Sequence, residues 1–450
     1  MKDKNSKKRY TLVVLLLLLV GISIGYAAIA TTLNINGNTT IEKASWDIHF
    51  ENLVKTTGSE VATVEASIDD TKTLIEYTVT LPKPGDFYEF TVDIVNNGTI
   101  DAMISEVLKQ GLTTEQEKYI SYTAAYSDGM ALEEKDYLKS GESQNIRVRV
   151  KYRDDITSSD LPTENQALSL KFMVTYIQAD ESAKERTVAI CRRATELHTE
   201  ECTQTDTTYY CSGAGYTTTG SKGTTTITYG NLGEFGNLVS GDAFDCDVNR
   251  DGTYDSETER FYYVTNLDTD SSYGVLVYYN NVAGGVSSNT IKFAYNTKFS
   301  YTEYYGPQTA MLQLPTTSQW KNVSLRETIR SIKDETGVVR IKQYSYDGYA
   351  TRLLTTQEVG FACNFNIKYD NDAFCRIGAL DNCNYLLENT SYSSNNYPAG
   401  YWLENHSSRE SYRPWSLNHG RCVQSAAYSD NDNAFGVRPV IEVPISRIGY

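Results

Sequence analysis

Apolar positions follow different rhythms along this chain, and each rhythm predicts a different kind of element. Residues 11–30 (T-L-V-V-L-L-L-L-L-V-G-I-S-I-G-Y-A-A-I-A) run without a charged side chain. As a helix such a run spans about 30 Å, the thickness of a bilayer's hydrocarbon core. From residue 31 to 178 the rhythm becomes alternation. Ile75, Tyr77, Val79 and Leu81 alternate with polar residues up to Pro82-Lys83-Pro84-Gly85. Tyr88, Phe90, Val92 and Ile94 do so up to Asn96-Asn97-Gly98, and Ile146, Val148, Val150 and Tyr152 are interleaved with Arg147, Arg149 and Lys151. Leu168, Leu170, Phe172, Val174 and Tyr176 finish the region. Period two puts one face of each strand in a core and the other in water. Turn clusters between the runs predict antiparallel pairing. About eight such strands without a strong helix predict a two-sheet sandwich. Trp46 alternates with Ile48 and Phe50 and is expected in its core.

Beyond residue 178 the alternation stops. Residues 179–194 are charged and helix-prone, which predicts a short connecting helix. A Thr-, Gly- and Tyr-rich stretch with Cys202 and Cys211 comes next. Further on, short strands such as 274–279 mix with two helix starts. Thr316-Thr317-Ser318-Gln319 and Thr355-Thr356-Gln357-Glu358 both fit the Ser/Thr-x-x-Glu/Gln capping box, which satisfies free amides of a first turn. They predict helices near 317–333 and 356–363. The chain thus divides into a signal peptide or membrane anchor (1–30), a β-sandwich (31–178), a linker helix with a Cys-containing loop-rich segment (179–225) and an α+β module (226–450). The expected class is mostly β with an α+β C-terminal module.

Charge sharpens the first of these. Five basic residues and one acidic one precede the apolar run. A basic flank keeps the N-terminus cytoplasmic and sends the downstream chain outside. Gly25-Tyr26-Ala27 and Ala28-Ile29-Ala30 fit a small-x-small cleavage pattern, while the length suits a retained anchor, so both readings stay open. The net charge is −16, with +4 in the first nine residues and −20 in the rest. An acidic body argues against nucleic acid and anionic membrane surfaces as partners and is compatible with divalent cations. All eight cysteines lie between Cys191 and Cys422. An even count in one exported region predicts disulfides, with the connectivity open.

One stretch has ion-binding spacing. D-x-N-x-D-G-x-x-D starts at Asp247 and offers Asp247, Asn249, Asp251, the carbonyl of Thr253, and Asp255 at positions 1, 3, 5, 7 and 9, with Gly252 at the turn. Calcium loops use those positions. The twelfth position is Thr258, flanked by Glu257 and Glu259, which leaves the closing ligand open. The alternative is a solvated Asx turn. A second candidate surface comprises Tyr401, Trp402, Arg413 and Trp415, with Asn418 and His419 nearby, because flat aromatics beside amide and guanidinium donors suit sugars or extended polar chains. For Trp402 and Trp415 core packing is the favoured reading. His198 beside Glu200 and Glu201 reads as a loop residue before it reads as a ligand.

Two resemblances extend this reading. L-P-K-P-G-D-F-Y-E-F-T-V-D-I-V-N-N-G-T-I-D-A, from Leu81, behind an export segment, resembles the camelysin/TasA family of exported proteins. That resemblance implies a jelly-roll sandwich and assembly into matrix fibres of Gram-positive bacteria. Some members are classed as metallopeptidases, but this chain has no H-E-x-x-H and its four histidines offer no pair one helical turn apart. The ordered trio A-T-R-L-L-T-T-Q-E-V, Y-W-L-E-N and G-V-R-P-V-I-E-V, from Ala350, Tyr401 and Gly436, resembles surface modules related to the formylglycine-generating-enzyme and C-type-lectin-like folds. It implies an α+β scaffold for ligand display, and the paired active-site cysteines of the oxidase are not found. The chain also lacks a dinucleotide fingerprint, a P-loop and a nucleophile elbow. The expected function is therefore a non-enzymatic bacterial cell-surface or matrix protein, anchored through its N-terminal helix, binding a glycan or surface protein, with self-association possible. The alternatives are a camelysin-type extracellular metallopeptidase and a structural fibre subunit.

Overall fold

A computed structural model describes residues 10–18, 43–56 and 62–450, apart from 155, 160, 163, 165–167, 169, 206–207, 210–217, 220–223, 235, 284–293, 366, 368–382, 391–399, 419–421 and 425–434. The chain falls into two units, residues 1–45 and 46–450. In the first, residues 10–18 form an exposed helix. The rest of the expected 11–30 span lies outside the described residues, and among the described residues no helix is long and apolar enough to cross a membrane.

The second unit begins with the alternating strands. They are β1 (Ile48–Lys55), β2 (Ala62–Ile68), β3 (Ile75–Val79), β4 (Phe87–Asn96), β5 (Ala102–Gln110), β6 (Ile120–Tyr126), β7 (Tyr137–Leu138), β8 (Ser143–Tyr152) and β9 (Lys171–Gln178). One sheet has the order β1-β4-β8-β6, a second β7-β5-β9, and β2 pairs with β3. All these pairings are antiparallel. Tyr88, Phe90, Val92 and Ile94 of β4 and Ile146, Val148 and Val150 of β8 meet Ala102 and Leu138 of the other sheet in one core. The register pairs Tyr88 with Val150 and Phe90 with Val148, so like faces point the same way. Trp46 departs from expectation: it is 46% exposed, because it precedes β1 and β1 is the edge strand of its sheet.

The expected connecting helix over 179–194 does not form. The segment runs extended because its charges find partners on the sandwich instead of on a helix surface: Lys184 pairs with Glu133 at 2.7 Å and Arg186 with Asp128 at 2.7 Å. Tertiary contacts of this kind override a propensity of tenths of a kcal/mol. The segment ends in the strand Cys191–Arg193, which joins the principal C-terminal sheet. That sheet has the order Val440–Pro444, Tyr273–Tyr278, Arg260–Asn266, Asp242–Cys246, Cys191–Arg193, Ile448–Gly449. Cys191 and Cys246 are register partners across two of these strands and form a disulfide. A second disulfide, Cys363–Cys383, closes a shorter loop beyond the helix Thr356–Ala362. Apolar side chains cover both faces of the sheet.

The two capping boxes have different fates. The helix Thr356–Ala362 forms with both reciprocal bonds of the box between Thr355 and Glu358. The helix expected over 317–333 stops after one turn, which closes with Trp320 N–H donating to the Thr316 carbonyl at 2.9 Å. Asn322 is then drawn away to Asp247 and Val248, and Trp320 is wedged edge-on against Phe261 and Tyr278. The chain continues into the hairpin Ile329–Lys333 and Val339–Ser345.

Candidate functional site

The C-terminal segments that begin at Ala350, Tyr401 and Gly436 converge on a buried ion network. Arg352 is fully buried and grips Glu358 with two bonds, 2.6 and 3.0 Å, while its Nε donates to Glu442 at 2.7 Å. Arg330 reaches Glu442 at 3.3 Å and lies 3.6 Å from Glu404. Glu404 also accepts from the Tyr346 hydroxyl at 2.9 Å. Burial alone raises a carboxyl's pKa; at Glu358 that is overcome by Arg352, which holds it below its ordinary value. Arg438, also fully buried, lies over the Tyr401 ring and donates to the carbonyls of Leu386 and Glu388. These arginines tie the irregular loops to the sheet, since a guanidinium presents several donors in a fixed fork.

Above this network lies a groove of about 790 Å³. Arg330 and Lys333 come from one strand, Gln357 and Phe361 from the capped helix, Glu404 and Asn405 from the strand Gly400–His406, and Val264 to Thr269 from the end of the strand Arg260–Asn266. Phe361 is 70% exposed at its rim, a bare aromatic face beside polar groups. Asn405 is fixed by donating to Gln357 and to the Lys333 carbonyl and by accepting from Thr356 N–H. The Arg330 Nε is buried without a hydrogen-bond partner. Donors, acceptors and an aromatic face thus share one concave site of the size that takes small polar ligands.

Tyr401, Trp402, Arg413 and Trp415, singled out by sequence, do not line this groove. Tyr401 and Trp402 are fully buried, Tyr401 donating to the Leu386 carbonyl and Trp402 packing on Tyr295 and Phe435. Trp415 is buried and donates to Glu335 at 3.1 Å. Arg413 pairs with Glu410 at 2.7 Å beside the ring of Tyr412. The side chain of Asn418, and His419, lie outside the described residues. The useful part of Y-W-L-E-N was its polar end. Glu404 and Asn405 face the groove, and their placement two and three residues beyond Trp402 was the available signal.

At the acidic loop, Asp247 accepts from the N–H groups of Asp251 and Gly252, Asn249 and Asp251 bond each other, and Asp251 caps Thr253. Asp255 is turned toward Glu257 N–H and Thr258 Oγ1. Glu259 is 4% exposed; its Oε2 accepts from Asp255 N–H at 3.2 Å, and its Oε1 has no partner. Burial, with Asp251 and Asp247 adding to it, pushes the Glu259 carboxyl up to about 7. Among the described residues no three acidic, histidine or cysteine side chains are grouped closely enough to hold a metal ion as they stand. His198 is held by Glu388 at 2.6 Å and by the Ser256 carbonyl at 2.9 Å; burial lowers its pKa, but these bonds prevail and raise it. Glu388 in turn accepts from Tyr262, so His198 braces the core. Comparison of the chain with protein-family models and with curated proteins returned no match.

Proposed function

We propose that this is an exported, non-enzymatic surface or matrix protein of a bacterium, in which a jelly-roll-like sandwich carries a lectin-like module that captures a polar ligand. The observation that carries the reading is the groove, with the exposed Phe361 ring beside Arg330, Gln357, Glu404 and Asn405. A flat apolar face with donors and acceptors around it suits a sugar ring, whose two faces are apolar and whose rim is hydroxyl. Export agrees with the basic flank of residues 11–30 and with the disulfides Cys191–Cys246 and Cys363–Cys383, since such bonds persist outside the cytosol.

The acidic loop is assigned calcium as a structural ion, through Asp247, Asn249, Asp251, the Thr253 carbonyl and Asp255. The partnerless Glu259 oxygen supplies the closing carboxylate that Thr258 cannot. Calcium favours such all-oxygen sets, and binding to the folded state alone would raise its stability.

The test is a glycan array probed with the full-length protein and with the Phe361→Ala variant. Because Phe361 is exposed, its loss should change stability by no more than about 0.5 kcal/mol. The expected outcome is binding that F361A weakens about tenfold, as loss of one stacked ring of 1–2 kcal/mol implies. Absence of any glycan hit, or equal binding by the variant, overturns the reading.

A further inference from the structure

The groove that holds Phe361 carries an electrical sign. In and beneath its wall two guanidiniums, Arg330 and Arg352, are shared among three carboxylates, Glu358, Glu404 and Glu442. Among the described residues no further ion pair reaches any of these five, so one negative charge of the network has no counter-charge in contact. The rest of the lining does not reverse this. Lys333 adds one cation, and the exposed Asp268 and Glu327 add two carboxylates. Three cations thus stand against five carboxylates. The adjoining Arg326 is taken by Asp270 at 2.9 Å and leaves the balance unchanged.

Glu404 is where this excess meets the groove. It lines the groove and is only 2% exposed. Its Oε1 accepts from the Tyr346 hydroxyl at 2.9 Å and lies 3.6 Å from Arg330 Nε. Its Oε2 receives no hydrogen bond among the described residues. A buried carboxylate oxygen without a donor is unfavourable, and a ligand that brings a donor there removes the penalty. The neighbouring amides do not supply one. Asn405 donates to Gln357 and to the Lys333 carbonyl, and Gln357 donates to the Asp334 carbonyl at 2.7 Å.

We propose that the ligand of this groove is a sugar bearing a free amino group, of the deacetylated hexosamine type, whose ammonium donates to Glu404 Oε2; this rests on the sugar reading above. An ammonium carries three donors and one positive charge, so it satisfies the open oxygen and offsets the excess together. A cleft lined by one sign of charge also concentrates ligands of the other sign. An N-acetyl group offers a single uncharged N–H, and a uronic acid adds a like charge. Among the described residues the carboxylates are not gathered closely enough to hold a metal ion, whereas a volume of about 790 Å³ suits an organic cation.

The experiment is calorimetric titration of the full-length protein with glucosamine, N-acetylglucosamine and galacturonate oligosaccharides of equal length, and with a lysine oligomer, at mildly acidic pH where the amines are charged. The glucosamine oligomer should bind about tenfold or more tighter than its acetylated form, the scale of one charge-assisted bond, and galacturonate should not bind. Added salt should shrink the difference. Glu404→Gln keeps the shape and an acceptor for Tyr346, and should erase the preference while leaving the acetylated oligomer unaffected. If E404Q does not fold, Asp268→Asn/Glu327→Gln, at two exposed positions, should reduce the preference about threefold. Equal binding of the two hexosamine oligomers, preference for galacturonate, or a preference unchanged in E404Q (or in the double variant, if E404Q does not fold) overturns this inference and leaves the sugar reading standing. Binding by no oligosaccharide, or by the lysine oligomer alone, overturns both.

Discussion

Arg352 joins three segments of the C-terminal half through its ion pairs and backbone pairing. It is fully buried, and its charge is balanced by Glu358 and Glu442. Removing one member of such a cluster strands the others without compensation, which typically costs about 3–5 kcal/mol. Arg352→Met should lose stability on that scale in urea unfolding, and Arg352→Lys should lose part of it, because an ammonium cannot grip Glu358 with two parallel bonds. Sequence identified Arg352, Glu358, Glu404 and Glu442 only as members of three separate segments. Their meeting depends on pairings such as Arg352 with Val440, which no local pattern encodes. The same limit explains the aromatic residues. A Tyr-Trp pair in a polar neighbourhood reads alike whether its strand is covered or bare, and here the strand Gly400–His406 is buried along its whole length.

At the scale of elements, two near-identical capping signatures give different lengths of helix. Thr355 accepts from Glu358 N–H and Glu358 reaches back to Thr355 N–H, so the box is complete. Thr355→Ala should cost about 1 kcal/mol of stability. At Thr316 the side chain bonds Gln319's amide oxygen and no third-residue backbone amide, so Thr316→Ala should stay within about 0.5 kcal/mol. Thermal melts of the two variants, compared side by side, check this. The strands β3, β4, β8 and β9 fall where alternation puts them, because a period of two survives any choice of partner. Residues 179–194 went the other way, since ion pairs to the sandwich outweighed helix propensity.

At the scale of the whole molecule, pH reaches the core through His406. Its side chain is buried, its Nε2 bonds the Tyr305 carbonyl, and the rings of Tyr295 and Tyr304 flank it at 5.0 and 5.6 Å. Burial depresses its pKa from 6.5 to about 4. A depressed folded-state value means that this contribution is full above pH 6.5 and is lost as pH falls toward 4. A gap of that size corresponds to about 3 kcal/mol. Asp242 acts oppositely: burial raises it to about 6, so its contribution is full below 3.8 and is lost as pH rises through 6. Chemical denaturation at pH 7, 5 and 4 should therefore show His406→Gln losing less stability on acidification than the unmodified protein, by about 3 kcal/mol at the lowest pH.

Local order alone determined a good deal here. Alternation set the sandwich strands, one capping box set a helix, and the acidic spacing set a tight Asx-rich turn, since each depends on neighbours a few residues away. Only the tertiary structure decided which aromatic faces stay bare, which glutamates share an arginine, and that the basic face of β8 is roofed over. Those outcomes rest on contacts between residues tens to hundreds of positions apart. Period and propensity fix which way a side chain leaves its own element, and they carry no information about what waits on the other side.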